Sequence, residues 1–321
     1  MLDAIIKEIA AVGIVPVIKI NDPKDAVPLA RALYDGGLPA AEVTFRTACA
    51  KEAIERICNE LPDMLVGAGT VLTPKQADEA AAAGAKFIVS PGLNPNVVRH
   101  CVEKGIPIVP GCISPSDIER ALELGLDTVK FFPAEQAGGI AMIKAMSAPY
   151  SGVSFMPTGG ISPKNLNDYL SFPKVVACGG SWMVKEELIA EGRFGEITAL
   201  AREAVMTMLG FELAHVGINP DGGAQADAIA VLFAGTFGLE KKQGNSSTFA
   251  GTAVEVMHAP GFGAKGHIAF RTNSIERAIR YLKFKGVAFN EGSAKYNAKG
   301  ALAAIYLQEE FGGFAVHLVQ K

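Results

Sequence analysis

Cysteine is scarce and unevenly placed. The 321 residues hold five, Cys49, Cys58, Cys101, Cys112 and Cys178. The number is odd, no C-x-x-C pair occurs, and none lies beyond Cys178. This argues against a disulfide framework, fits a reducing cytoplasm, and leaves the thiols as small buried apolar groups. An excess of one charge is also lacking: 30 Lys and Arg meet 33 Asp and Glu, a net charge of −3. That balance gives no electrostatic reason to expect nucleic acid or an anionic membrane as partner. No run is apolar for the length of a membrane crossing. The opening MLDAIIKEIAAVGIVPV lacks the basic start and long apolar stretch of a signal peptide. What is present is core material. Hydrophobic residues reach 49% and charged residues only 20%, which disfavours disorder. The length allows one large barrel or two domains.

One pattern repeats up to about residue 181: a short apolar, β-rich segment, then an amphipathic helix. The candidate strands are residues 13–20, 41–46, 65–72, 87–91, 107–112, 128–133, 154–160 and 175–181. Asp22-Pro23, Thr73-Pro74, Asn94-Pro95, Ser114-Pro115 and Ser162-Pro163 each set a capping residue before a Pro at the first helical position. Eight such units within about 200 residues predict an α/β fold, a (β/α)₈ barrel. A doubly wound sheet uses the same units but gathers its ligands at one crevice. Here chemically useful residues end many strands, which favours the barrel. Residues 192–210 read as a closing helix. Beyond it the pattern changes to Gly-rich connections between AHVGIN, TAVEVMH, GHIAFRT, AIYLQEE and FAVHLVQK, with helices around 225–237 and 274–286. The expected organisation is therefore a barrel over 1–210 and a smaller α+β domain of paired βαβββ units over 211–321.

Strand alternation sorts the barrel's charges. In AEVTFR, Glu42, Thr44 and Arg46 share one face, and Val43 and Phe45 the other. In TVKFFP, Thr128, Lys130 and Phe132 share a face. The apolar residues between them would meet the helices, so Glu42, Arg46 and Lys130 point inward. Thr70 falls in phase with Val66 and Ala68, and Pro91 and Thr158 sit at comparable strand ends. Burying Lys, Glu and Arg together needs a reason. A structural ion-pair network is one. The other is chemistry: an apolar setting and a cation such as Arg46 favour the free amine, which attacks a ketone, while a carboxylate shuttles protons. The turns after the seventh and eighth strands, Thr158-Gly159-Gly160 and Gly179-Gly180-Ser181, are glycine-rich. Backbone N–H groups of these loops, which include Gly159, Gly160, Gly180 and Ser181, can approach a phosphate; plain tight turns are the alternative reading of the same glycines.

The segments GIVPVI, EVTFRT, VGAGTVL, SPGLNP, KFFPAE, PTGGISP and GGSW occur in this order across nearly all of residues 10–205. Together they resemble the bacterial 2-keto-3-deoxy-6-phosphogluconate (KDPG) / 4-hydroxy-2-oxoglutarate (KHG) aldolase family. The resemblance implies a class I aldolase, a carbon–carbon lyase without a metal cofactor, usually a homotrimer. It makes Lys130 the Schiff-base residue and Glu42 the general acid/base. Arg46 and Thr70 would bind the pyruvate part with Pro91 nearby, Thr158 the aldehyde part, and Gly159, Gly160 and Ser181 the phosphate. The expected substrate is a phosphorylated 2-keto acid, KDPG, cleaved to pyruvate and glyceraldehyde 3-phosphate, with 4-hydroxy-2-oxoglutarate as a second. GCISPSD departs from relatives that carry a Thr after the fifth strand. Three alternatives stay open: an aldolase for the galactonate-derived epimer, a sugar-phosphate isomerase or epimerase barrel, and an inactive scaffold.

Residues 213–321 resemble the vicinal-oxygen-chelate (glyoxalase/bleomycin-resistance) superfamily. Its metal ligands come from the first and last strands of each βαβββ unit. Those places hold His215, Glu255, His267 and His317, the last being a carboxylate in most relatives. Each is flanked mostly by apolar neighbours that would face the other way. The set either binds a divalent metal or belongs to a metal-free module that holds a small molecule or supports assembly.

Overall fold

The computed structural model describes residues 2–220 and 223–321. The chain divides into two compact units, Met1–Met208 and Leu209–Lys321. Among the described residues no helix is long and apolar enough to cross a membrane. All five cysteines are free thiols.

In the first unit eight parallel strands form a ring: β1 (Ile14–Ile18), β2 (Ala40–Thr44), β3 (Leu65–Gly69), β4 (Phe87–Val89), β5 (Ile108–Val109), β6 (Thr128–Phe131), β7 (Ser154–Pro157) and β8 (Cys178–Gly180). Six pair in the order β5-β4-β3-β2-β1-β8, and β6 pairs with β7. Single bridges, Gly111 with Lys130 and Thr158 with Gly179, join the two sets and close the barrel. Closure rules out the open doubly wound sheet. β5 is short because Pro107 and Pro110 flank it and offer no N–H to the ladder. Strands β2 to β6 are buried at every residue, as expected where helices cover one face and the barrel interior the other.

Most helix starts obey their capping residues. Asp22, Thr73, Asn94 and Ser114 each accept a hydrogen bond from a backbone N–H of the first turn, and Ser114 forms a capping box with Asp117. Ser162 does not cap. Asn165 Oδ1 accepts from Ser162 N and holds the segment in a turn, so the helix opens only at Leu166. The closing helix is Phe194–Leu209.

The second unit holds β9 (Glu212–Ile218), β10 (Lys241–Gln243), β11 (Ser247–Ala250), β12 (Val254–Met257), β13 (Gly266–Thr272), β14 (Phe289–Tyr296), β15 (Leu302–Phe311) and β16 (Phe314–Gln320). Helices Gly223–Phe237 and Ile275–Phe284 follow β9 and β13, so the chain runs β-α-β-β-β twice. One sheet results, in the order β10-β11-β12-β9-β13-β16-β15-β14. β12 runs parallel to β9 and β16 parallel to β13, while β9 and β13 meet antiparallel at the centre. Ala226 and Ala230 of the first helix pack with Val256 as a small core. Ser274 caps the second helix through Arg277 N.

Candidate active site and histidine cluster

A cavity of about 350 Å³ opens at the C-terminal ends of the barrel strands. Glu42, Arg46, Thr70, Pro91, Lys130, Thr158, Gly159, Gly160, Gly180 and Ser181, the residues singled out from sequence, all line it. Val17, Thr44, Phe132 and Ile161 complete its wall.

Lys130 and Glu42 are 5% and 1% exposed. Lys130 Nζ donates to Glu42 Oε1 at 3.3 Å, and Glu42 Oε2 is buried with no hydrogen-bond partner. One carboxylate oxygen thus faces the amine and the other is free to take a proton. Glycine makes this possible: a Cβ on Gly69 would overlap the Glu42 carboxylate. The Phe132 ring lies 5.3 Å from Lys130 Nζ and gives the amine an apolar neighbour. Arg46 lies in the turn after β2 rather than on the strand. Its Nε donates to Thr44 Oγ1 at 3.1 Å, and that hydroxyl donates to Ile18 O at 2.8 Å. This chain of bonds anchors an otherwise exposed guanidinium over the cavity.

Thr70 is the one described non-glycine residue in left-handed backbone, with φ of 56°. A β-branched side chain there is strained, and such strain gathers at functional sites. Its phase with Val66 and Ala68 therefore ends at Gly69, where β3 stops. Across the mouth, Thr158 is 6% exposed and its Oγ1 has no partner. It occupies the space a side chain at Gly179 would take, and the Trp182 ring occupies that of Gly180. Gly159 and Gly160 have φ of 101° and 77°. Ala134 N and Glu135 N donate to Thr158 O and Gly159 O, at 2.8 and 3.1 Å, which ties this loop to the segment after β6. Both glycine loops are held by what fills their missing side chains. Alternation placed Thr44 and Phe132 on the faces of Glu42 and Lys130 without marking them as part of the site; Ile161 lies outside the strands and carried no periodic signal.

The second unit brings His215, Glu255, His267 and His317 together. They come from four adjacent strands, β9, β12, β13 and β16. Glu255 Oε2 lies 3.0 Å from His215 Nε2 and 3.1 Å from His267 Nε2, and those two nitrogens are 3.1 Å apart. Each histidine offers a ring nitrogen within 4.8 Å of the others. Gly217 makes room for the His267 imidazole, which a Cβ there would overlap. His317 is 7% exposed, yet neither ring nitrogen has a partner. Burial, with His267 and His215 beside it, pushes the His317 imidazole down to about 3. For Glu255, burial raises the carboxyl, but hydrogen bonds from His215, His267 and Ser247 outweigh it and hold it below the usual range.

Residues 4–200 match the family model "KDPG and KHG aldolase". A 2-dehydro-3-deoxy-phosphogluconate aldolase of Treponema pallidum is 54% identical over 201 residues, 63% of this chain and 96% of that protein. The KHG/KDPG aldolase of Escherichia coli K12 is 46% identical over 60% of this chain and 90% of its own length. Among solved structures, a Legionella pneumophila KDPG aldolase with pyruvate captured as a covalent carbinolamine intermediate is 44% identical. It aligns with 64% of this chain and 98% of its own, with a TM-score of 0.61. With the family model spanning more than half of the sequence and these relatives covered almost end to end, the chain belongs to the KDPG and KHG aldolase family.

Proposed function

We propose that the barrel unit cleaves 2-keto-3-deoxy-6-phosphogluconate to pyruvate and glyceraldehyde 3-phosphate, and 4-hydroxy-2-oxoglutarate to pyruvate and glyoxylate. The supporting observation is the Lys130–Glu42 pair at the cavity wall, with one carboxylate oxygen on the amine and the other buried without a partner. Lys130 Nζ attacks the C2 ketone to form a carbinolamine, which loses water to an iminium. Glu42 takes the proton of the C4 hydroxyl, the C3–C4 bond breaks, and its electron pair enters the iminium as an enamine. The aldehyde leaves. A proton returns to C3, and water hydrolyses the imine to pyruvate and free Lys130. Arg46 and Thr70 would hold the carboxylate end beside Pro91. Thr158 would meet the aldehyde part, and Gly159, Gly160, Gly180 and Ser181 the phosphate. Treating the protein with pyruvate and borohydride should leave one reduced adduct, on Lys130. Labelling at another residue, or none, overturns this mechanism. The homotrimer of the family resemblance is the assembly we expect, measurable by light scattering, in a reducing cytoplasm.

For the second unit we infer a glyoxalase-like module with a divalent-metal site. His215, Glu255, His267 and His317 would hold the ion. The fit rests on His317, whose buried nitrogens no protein group satisfies, and on donors of the type that bind zinc, nickel or iron. Such an ion supplies Lewis-acid polarisation of a bound oxygen. Elemental analysis of protein purified without chelator tests this. Stoichiometric metal that is absent from a His215→Ala/His267→Ala variant supports the site. No uptake under zinc, nickel or manganese supplementation removes it in favour of a metal-free module.

A further inference from the structure

Three members of the histidine cluster orient one another: Glu255 bonds both His215 and His267. His317 has no such support. An imidazole ligand is ordinarily fixed by a hydrogen bond to its second nitrogen, and here neither nitrogen has a protein partner. Its ring plane must be set otherwise. Tyr306 lies directly opposite His317 where β15 meets β16. The two rings are stacked, with centroids 4.5 Å apart and planes 13° from parallel. Phe262 packs on Tyr306 in turn, at 4.7 Å. His215 and His267 meet His317 at 5.5 and 5.1 Å in edge-on geometry. The ring is therefore caught between a flat face and two edges.

We infer that Tyr306 is a positioning residue for the metal site, holding His317 by ring stacking where a hydrogen bond would normally do so. The inference rests on the metal reading above. It has a physical direction. Metal on an imidazole withdraws electron density and places positive charge near the ring, and the negative face of a phenol attracts that charge. The stack therefore favours the loaded state over the empty one. The tyrosine hydroxyl has no part in this, so a phenyl ring should serve nearly as well.

The test uses the full chain and Zn²⁺, with affinity read by competition against a chromogenic chelator. Co²⁺ absorption reports the geometry of the site. Tyr306→Phe should bind Zn²⁺ within about threefold of wild type with an unchanged Co²⁺ spectrum. Tyr306→Leu should lose about 10–100-fold, the range that loss of an orienting partner costs a metal site, and alter the Co²⁺ bands. Tyr306→Met provides the same comparison if the leucine variant loses its native circular dichroism. Wild-type affinity in the ringless variants overturns the inference and leaves the metal reading intact. Equal loss in Tyr306→Phe and Tyr306→Leu assigns the role to the hydroxyl and also overturns it. A wild-type chain that takes up neither ion overturns the inference and the metal reading together.

Discussion

The barrel and the C-terminal sheet both bury polar side chains that lack a full set of partners, but they assemble them in different ways. In the barrel, the groups come from the ends of separate parallel strands and the turns just beyond. Glu42 and Lys130 are 88 residues apart in sequence and meet across the ring. In the sheet, the groups sit within four neighbouring strands. Glu255, Gly217 and His267 form one cross-strand row, and His215, Ala269 and His317 the next. A site at strand ends can change its outer contacts by altering loops while its reacting pair stays fixed. A site within a sheet cannot, because each side chain is locked to its register. The first arrangement suits a substrate with a distal phosphate. The second suits a compact ligand, such as an ion, that needs several donors converging on a point.

If the two sites are chemically separate, damage to one should leave the other unchanged. Lys130→Arg should give the largest effect, no detectable pyruvate release in a coupled assay. A guanidinium stays protonated and forms no imine. Metal content of the same variant should equal wild type, and residual turnover would break the imine mechanism. Glu42→Gln should keep the borohydride-trapped pyruvate adduct but lower kcat by about 10²–10⁴, the usual worth of a placed acid/base. Near wild-type turnover would move that role to another group or to water. Ser181→Asp should raise KM for the phosphorylated substrate by roughly tenfold, since a like charge about 4 Å away costs about 1–4 kcal/mol. KM for 4-hydroxy-2-oxoglutarate should change much less. Equal losses on both would make the glycine loops structural only. The smallest effect should follow removal of residues 211–321. Every group placed in the aldolase chemistry precedes that cut, so kcat/KM should stay within about twofold. A folded but inactive truncation would show that the second unit contributes to the reaction.

Much of the architecture was legible because alternation and turn chemistry act locally. The eight barrel strands were found with longer ends than they have, because β-rich residues continue into the turns that carry Arg46 and Thr70. The inward faces of Glu42 and Lys130 followed from period two alone. The left-handed Thr70 was not legible, since a threonine in that backbone is held by its surroundings and not by its own preference. Ser162-Pro163 misled for a similar reason: Asn165 competes for the backbone of Ser162. The stack on His317 was hidden by register. Counting back along the hairpin from the Phe311–Phe314 pair would set His317 opposite Gln308, but an irregularity between Tyr306 and Glu310 brings Tyr306 there instead. Periodicity assigns faces, and it cannot foresee where a ladder slips.

Gly69 and Gly217 carry no chemistry, yet each occupies ground that a functional side chain needs, the Glu42 carboxylate in one case and the His267 ring in the other. The smallest possible enlargement, a single methyl group, would evict the larger neighbour. Inheritance at these positions is therefore linked. A lineage that gave up the imidazole at 267 would at once release position 217 to vary, and one that kept it could not.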